Sequence, residues 1–195
     1  MKHHIIYIPG LGDRYSYGQN IAINWWRWFG LTPHYFALGW TNQEGFDAKL
    51  ARLISEIDAL KQHGDYVSLV GVSAGASAAL NAYARHPGVT GVVYISGKIN
   101  SPELVDPQIF ARNPDFNESL GWLKKSLAQL SPVKVGRILN IHPVRDQTVS
   151  INDTKIIGTA ESVVPGWNHA SGIFFGIISG APIMAKFLHA LEKTI

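Results

Sequence analysis

The sequence predicts an α/β fold built on a mostly parallel sheet, and three observations predict it. Short β-branched runs recur with longer helical patterns between them, the order that lays strands side by side with helices as crossovers. Several of these runs are apolar at nearly every position, as strands covered on both faces should be. The chain of 195 residues is 46% hydrophobic and shows no internal repeat, low-complexity tract or linker, so residues 1–195 are expected to form one domain around a substantial core.

The expected strands number about six. The first, His4-Ile5-Ile6-Tyr7-Ile8, leads into the loop Pro9-Gly10-Leu11-Gly12-Asp13, and Trp25, Trp26 and Trp28 follow in a first helix expected to pack on the sheet. The second run is Tyr35-Phe36-Ala37-Leu38. After it Phe46, Leu50, Leu53, Ile54, Ile57 and Leu60 recur at spacings of three and four, with Thr41-x-x-Glu44 resembling a capping box. Tyr66 to Val70 is the third run. The small side chains from Ala74 to Ala84 then allow a helix to lie close against the sheet, ending before His86-Pro87-Gly88. Gly91 to Ile95, Ile138 to Ile141 and Lys155 to Gly158 complete the set. Between the fourth and fifth runs, residues 98–131 break the rhythm with three prolines and a helical pattern near Leu120 to Leu130. That stretch reads either as a small cap-like excursion rimming a pocket or as an ordinary crossover with a long entry loop.

Composition excludes several classes. The net charge is +3, but Lys and Arg are scattered with no run of five or six, so nucleic acid is not the indicated partner. The absence of cysteine removes disulfides, thiolate metal sites and a cysteine nucleophile. Only four or five apolar residues precede Pro9, too few for a signal-peptide core, and a cytoplasmic location is expected. The longest uncharged stretch, Ala170 to Ala185, carries Pro182 and falls short of the ~20 apolar residues of a membrane span, so it is expected to be a buried segment. No cofactor is expected. Gly10-x-Gly12 lacks the third glycine of a dinucleotide loop, with Tyr15 in its place, and no Walker lysine follows. No metal is expected, because the carboxylates and histidines lack paired helical or hairpin ligand spacing.

Chemistry concentrates at Gly71-Val72-Ser73-Ala74-Gly75, a G-x-S-x-G pattern directly after an apolar run and directly before an Ala-rich helix. In that strand-turn-helix context the serine is a candidate nucleophile on a sharp turn, where flanking side chains would collide unless they are glycine. A helix N-terminus also supplies unpaired N–H groups, so Ala74, the residue after the serine, is the expected first donor to an oxyanion. Leu11, in the glycine-containing loop after the first strand, is the expected second, with Gly10 or Gly12 able to take the role. A serine hydroxyl needs a neutral imidazole in reach and a carboxylate to orient it. Asp146 follows a strand in His142-Pro143-Val144-Arg145-Asp146-Gln147-Thr148-Val149, and His169 lies in Pro165-Gly166-Trp167-Asn168-His169-Ala170-Ser171-Gly172. Asp106, Asp115 and Asp153 compete for the acid, Asp153 being expected at the opposite sheet edge. His3, His4, His34, His63, His86 and His189 fall at chain starts, element junctions or the last helix, and His142 is the histidine most easily confused with the base.

These four segments, in this order, resemble the α/β-hydrolase superfamily across nearly the whole chain. The resemblance implies a single α/β-hydrolase domain with the chain order Ser73, Asp146, His169, in a compact version that starts at the strand before the oxyanion loop. It also implies hydrolysis of a small-molecule carboxylic ester or thioester, since small members act mainly on esters. Trp122 and Trp167 are candidate pocket residues for an apolar, aromatic substrate site. The other reading is a catalytically weak module of this fold that binds a ligand or a protein.

Overall fold

From the first strand Ile5 and Tyr7 point to one side and Ile6 and Ile8 to the other, and all four are fully buried. A strand with two apolar faces requires cover on both. The computed structural model describes residues 1–13, 17–42, 44–61 and 64–194. Tyr15 and His63 lie outside them. In chain order the elements are β1 (His3–Ile8), α1 (Tyr17–Ala22), a 3₁₀ segment (Ile23–Phe29), β2 (Leu31–Tyr35), α2 (Phe46–Lys61), β3 (Tyr66–Val72), α3 (Gly75–Arg85) and β4 (Val92–Ile95). There follow a 3₁₀ turn (Pro102–Leu104), α4 (Pro107–Arg112), α5 (Pro114–Ala128), α6 (Pro132–Val135), β5 (Ile138–Pro143), α7 (Ile151–Thr154), β6 (Ala160–Val164), α8 (His169–Ile178) and α9 (Ala181–Glu192).

The six strands are all parallel in the order β2-β1-β3-β4-β5-β6. On one face Ile6, Ile8, Leu69, Tyr94 and Ile138 pack under α2, α3 and α5. On the other, Ile5, Tyr7, Val70, Val93 and Ile141 pack under the first 3₁₀ segment, α8 and α9. The chain runs from β1 outward to β2 and then crosses to β3 on the far side of β1, so the strand order reverses between β1 and β3. In an open parallel sheet that reversal leaves a crevice beyond the carboxyl ends of the strands.

The two edge strands differ from the sequence expectation. β2 is Leu31–Tyr35 and not residues 35–38, and it carries Pro33. Pro33 reads as a breaker, yet an edge strand tolerates a residue without an N–H. β6 is Ala160–Val164 and not residues 155–158, and only Val164 is buried. The apolar pair Ile156 and Ile157 belongs instead to the turn before it, with Ile157 exposed and Gly158 at φ +90°. The capping box is not formed as expected, because α2 starts at Phe46, beyond Thr41 and Glu44, and Glu44 pairs with Arg52 at 2.8 Å. Of the first tryptophans only Trp26 packs inside, where its indole N–H donates to the Ile177 carbonyl at 2.8 Å, while Trp25 and Trp28 are exposed. The segment Ala170 to Ala185 divides between α8 and α9, which meet at 56°. One face of the pair lies on the sheet through Gly176, Ile177, Ala181 and Met184, and Phe174 is exposed. No single helix among the described residues is long and apolar enough to cross a membrane.

Residues 98–131 close the crossover from β4 to β5, with α5 laid along α3. A seam of small polar side chains joins the two helices: Ser77 Oγ meets Ser119 Oγ at 2.7 Å, Asn81 Nδ2 donates to the Ser119 carbonyl at 2.9 Å, and Ser126 Oγ donates to Asn81 Oδ1 at 2.8 Å. The same helix carries Asp115, whose carboxylate accepts from Lys49 of α2 in a pair almost closed to solvent. Lys49 Nζ also donates to the Asn42 carbonyl at 3.1 Å, so one ammonium ties α2, α5 and the 39–42 turn together.

Removing one partner of a buried pair strands the other charge, which costs about 3–5 kcal/mol, whereas replacing both by apolar groups of similar volume is close to neutral. Asp115→Ala is therefore expected to lower the urea unfolding free energy by ~3 kcal/mol or more. The double change Lys49→Met with Asp115→Leu is expected to recover most of that loss. A single-variant loss below ~1 kcal/mol would mean that water reaches the pair.

Candidate active site

Ser73 stands on the turn that joins β3 to α3, at the reversal between β1 and β3. Its backbone has φ 52°, a left-handed conformation that a side chain rarely adopts, and its N–H donates to the Ile95 carbonyl at 2.9 Å. The glycines around it are there for space. A Cβ on Gly75 would lie 2.2 Å from the Ile8 carbonyl oxygen, and one on Gly71 would lie 2.5 Å from the Gly75 carbonyl oxygen. Only bare backbone lets α3 come this close to β1 and β3.

His169 is the first residue of α8. Asn168 and Ser171 fix it there by a reciprocal cap: Ser171 N–H donates to Asn168 Oδ1 at 2.8 Å, and Asn168 N–H donates to Ser171 Oγ at 3.2 Å. Its ring bridges two partners, with Nδ1 at 2.7 Å from Asp146 Oδ2 and Nε2 at 2.9 Å from Ser73 Oγ. An ionised carboxylate only accepts, so Nδ1 carries the hydrogen and Nε2 presents its lone pair to the serine hydroxyl. The Asp146 side chain is 1% exposed, and its Oδ1 accepts from the N–H groups of Thr148 and Val149 at 2.9 and 3.0 Å. Burial opposes ionisation of Asp146, but hydrogen bonds from His169 and these two amides outweigh it and hold the carboxyl below the usual carboxylate range.

The loop after β1 brings Leu11 beside Ser73, and both line the same cavities. Asp13 anchors that loop, its carboxylate accepting from the backbone N–H groups of Gly39 and Trp40. Two hollows flank Ser73. One of about 270 Å³ is walled by Leu104, Val105, Ile109, Phe116 and Val149, with Ala74 at its floor. The other, of about 310 Å³, lies on the His169 side against Gly12, Gln19, Thr148 and Ile173.

The structure thus brings Ser73, Asp146, His169, Leu11 and Ala74 together. Trp122 and Trp167 do not join them. Trp122 lies between Phe46 and Arg85, its ring 4.2 Å from the guanidinium carbon, because α5 turns that face toward α2 and α3. Trp167 precedes the cap of α8 and is 66% exposed. Asp153 is not at the opposite sheet edge, an expectation that followed from misplacing the last strand. It pairs at 2.8 Å with Lys98, just beyond β4 on the Ser73 side, and its backbone carbonyl accepts from Ile99 and Asn100. His142 is buried with Nδ1 at 3.0 Å from the Pro143 carbonyl.

Sequence reading had residues 98–131 as a possible pocket rim but did not single out Leu104, Val105 and Ile109, which line the hollow. It also missed a ligand spacing: His189 and Glu192 stand three apart on α9, with His3 beside them.

The chain has the α/β-hydrolase fold. It superposes on a metagenome-derived lipolytic enzyme of the LipS and LipT study with a TM-score of 0.69 at 13% identity, over 97% of this chain and 94% of the other. Carboxyl esterase 2 of the mycorrhizal fungus Tuber melanosporum gives 0.67 at 19% identity over 96% and 78% of the chains. A putative hydrolase of the alpha/beta superfamily from Xanthomonas campestris pv. campestris gives 0.65 at 16% identity over 96% and 98%. No family model matches the sequence, and no curated protein matches it either.

The close approach at the turn sets a test on glycine. Gly75→Ala is expected to lose about 3 kcal/mol or more in urea unfolding, since backbone must shift to admit the methyl. Gly121→Ala, on α5 with nothing within 4 Å of the new carbon, is expected to gain up to ~1 kcal/mol from helix propensity.

Proposed function

We propose that this protein is a serine hydrolase of carboxylic esters or thioesters, working through an acyl-enzyme on Ser73. The observation that carries the reading is the hydrogen-bonded line from Asp146 through His169 to a Ser73 held at φ 52°. The carboxyl esterase and the lipolytic enzyme of the same fold support it.

In the first half-reaction His169 Nε2 takes the hydroxyl proton as Ser73 Oγ bonds to the substrate carbonyl carbon. The carbonyl oxygen, now negative, receives the N–H groups of Leu11 and Ala74. As the tetrahedral adduct collapses, His169 returns the proton to the departing alkoxide or thiolate. Water then repeats the sequence, giving its proton to His169 and releasing the acid from Ser73. Asp146 keeps the imidazole in the tautomer that can accept. The hollow walled by Leu104, Val105, Ile109 and Phe116 takes the apolar acyl chain, and the hollow beside His169 takes the leaving group. The substrate is a small molecule of medium acyl length.

Ser73→Ala is expected to abolish both fluorophosphonate labelling and nitrophenyl ester hydrolysis while leaving the circular dichroism spectrum unchanged. Retention of most activity would overturn the assignment. Across a chain-length series, turnover is expected to peak at intermediate acyl chains, and equal rates for acetyl and octanoyl esters would argue against an extended apolar site.

The acid is tested separately. Asp146→Asn is expected to cost on the order of 10⁴-fold in kcat, as in the related protease case, while Asp153→Asn leaves kcat within about tenfold. The Asp146 carboxyl is held below the usual range, so it stays ionised, and His169 keeps its orienting partner, down through the ordinary aspartate value. The stabilising contribution of Asp146 ionisation is present above that value and is lost as pH falls through the depressed one, so activity lost at higher pH is not lost through protonation of Asp146. Circular dichroism alongside the rate profile checks it.

A further inference from the structure

At the end of the sheet away from Ser73, three ligand-type side chains converge. His3 opens β1, and its side chain lies on the face covered by α9, as Ile5 and Tyr7 do. His189 and Glu192 sit three residues apart on that helix and therefore share a face. Their donor atoms, the two Nδ1 nitrogens and a carboxylate oxygen, all lie within 4.8 Å of one another. Each Nδ1 is 2.6 Å from Glu192 Oε1.

The far side of the His189 ring decides what those short contacts mean. Its Nε2 is 2.9 Å from the Phe29 backbone carbonyl, which can only accept, so Nε2 carries the hydrogen. In a neutral ring Nδ1 is then a bare lone pair aimed at a carboxylate oxygen. Two acceptors at that separation repel unless a cation lies against both. The outer nitrogen of His3, Nε2, lies 2.8 Å from Ser68 Oγ on β3, a hydroxyl that can accept its hydrogen and so leave Nδ1 free to ligate. An outer N–H donated to a backbone carbonyl, as at His189, is how metal-ligating histidines are oriented.

We propose that His3 Nδ1, His189 Nδ1 and Glu192 form a binding site for a first-row divalent ion of the zinc class. Imidazole nitrogens exclude magnesium and calcium as preferred occupants. Bonds of ~2.0–2.2 Å in tetrahedral geometry place ligand atoms roughly 3.4 Å apart, so Glu192 Oε1 swings outward by less than ~1 Å while the two nitrogens, already within 4.8 Å of each other, adjust around the ion. His3 is buried, whereas the side chains of His189 and Glu192 are 38% and 25% exposed, so the ion enters from solvent and water completes its shell. β1 runs from His3 toward the Ser73 end, so the site lies ~15 Å or more from the serine. Its role is to clip the first strand to the last helix.

The test uses untagged full-length chain stripped with a chelator. Calorimetric titration with Zn²⁺ is expected to give one equivalent bound. Co²⁺ in its place is expected to show the visible bands of a four-coordinate ion, and the melting temperature is expected to rise with free Zn²⁺. Glu192→Gln and His189→Ala are each expected to weaken Zn²⁺ binding by about 100-fold, and Ser68→Ala by roughly 10-fold. His34→Ala, which alters the separate pair of His4 Nδ1 and His34 Nε2 at 2.8 Å, is expected to bind as the parent does. Failure of the parent chain to bind stoichiometrically would overturn the proposal, and the cation between His189 and Glu192 would then be a proton. So would unchanged affinity in Glu192→Gln.

Discussion

The approach of α3 to β1 and β3 is the constraint on which the rest of the molecule depends. Where a carbon on Gly75 would stand 2.2 Å from the Ile8 carbonyl, backbone meets backbone with no side chain between. That closeness bends the chain sharply at Ser73, forces its φ to 52°, and leaves the hydroxyl projecting above the sheet. It also brings the loop after β1 alongside, since Ile8 and Gly71 are register partners and the residues that follow each strand emerge together. Leu11 and Ser73 are neighbours because two strands and a helix are packed as tightly as glycine permits.

The remaining groups arrive at the same place by different means. Asp146 is set by backbone amides three residues or fewer away and His169 by a cap at the start of α8, and the hydrogen bond between the two side chains then fixes each against the other. The pocket wall comes largely from residues 104–109. An ion pair stands on either side of that stretch in the chain, Lys98 with Asp153 ahead of residues 104–109 and Lys49 with Asp115 at the start of α5. Buried charges of this kind hold their elements in one arrangement because a displaced partner would be left unpaired.

The central strands were legible because β1, β3, β4 and β5 are covered on both faces and therefore mostly apolar, with runs such as Ile5 to Ile8 and Val92 to Ile95. The edge strands were not. Ala160 to Val164 buries one residue and looks like a surface segment, while the more hydrophobic Ile156 and Ile157 occupy a turn, with Ile157 left in solvent. Misplacing that strand also sent Asp153 to the wrong side of the sheet. Ser73, Asp146 and His169 could be singled out as candidates since each follows a strand in a segment of distinctive composition, and the structure sets them within hydrogen-bonding distance of one another. Trp122 was misleading because aromatic character carries no direction: which way α5 turns a given residue depends on α2 and α3, and one segment cannot reveal it. The convergence of His3 with His189 and Glu192 joins the two ends of the chain, and only the register of the sheet against α9 makes it visible.

The seam between α3 and α5 has a bearing on how a ligand is chosen. Ser77, Asn81, Ser119 and Ser126 interlock at fixed positions, and sliding α5 along α3 would leave several of them without partners at a cost of about 1–3 kcal/mol each. The helix that lends Phe116 to the apolar hollow is thereby bolted to the helix that begins beside Ser73. The span between that ring and the serine works like the jaw of a fixed gauge, its width set by polar side chains that lie outside the hollow altogether.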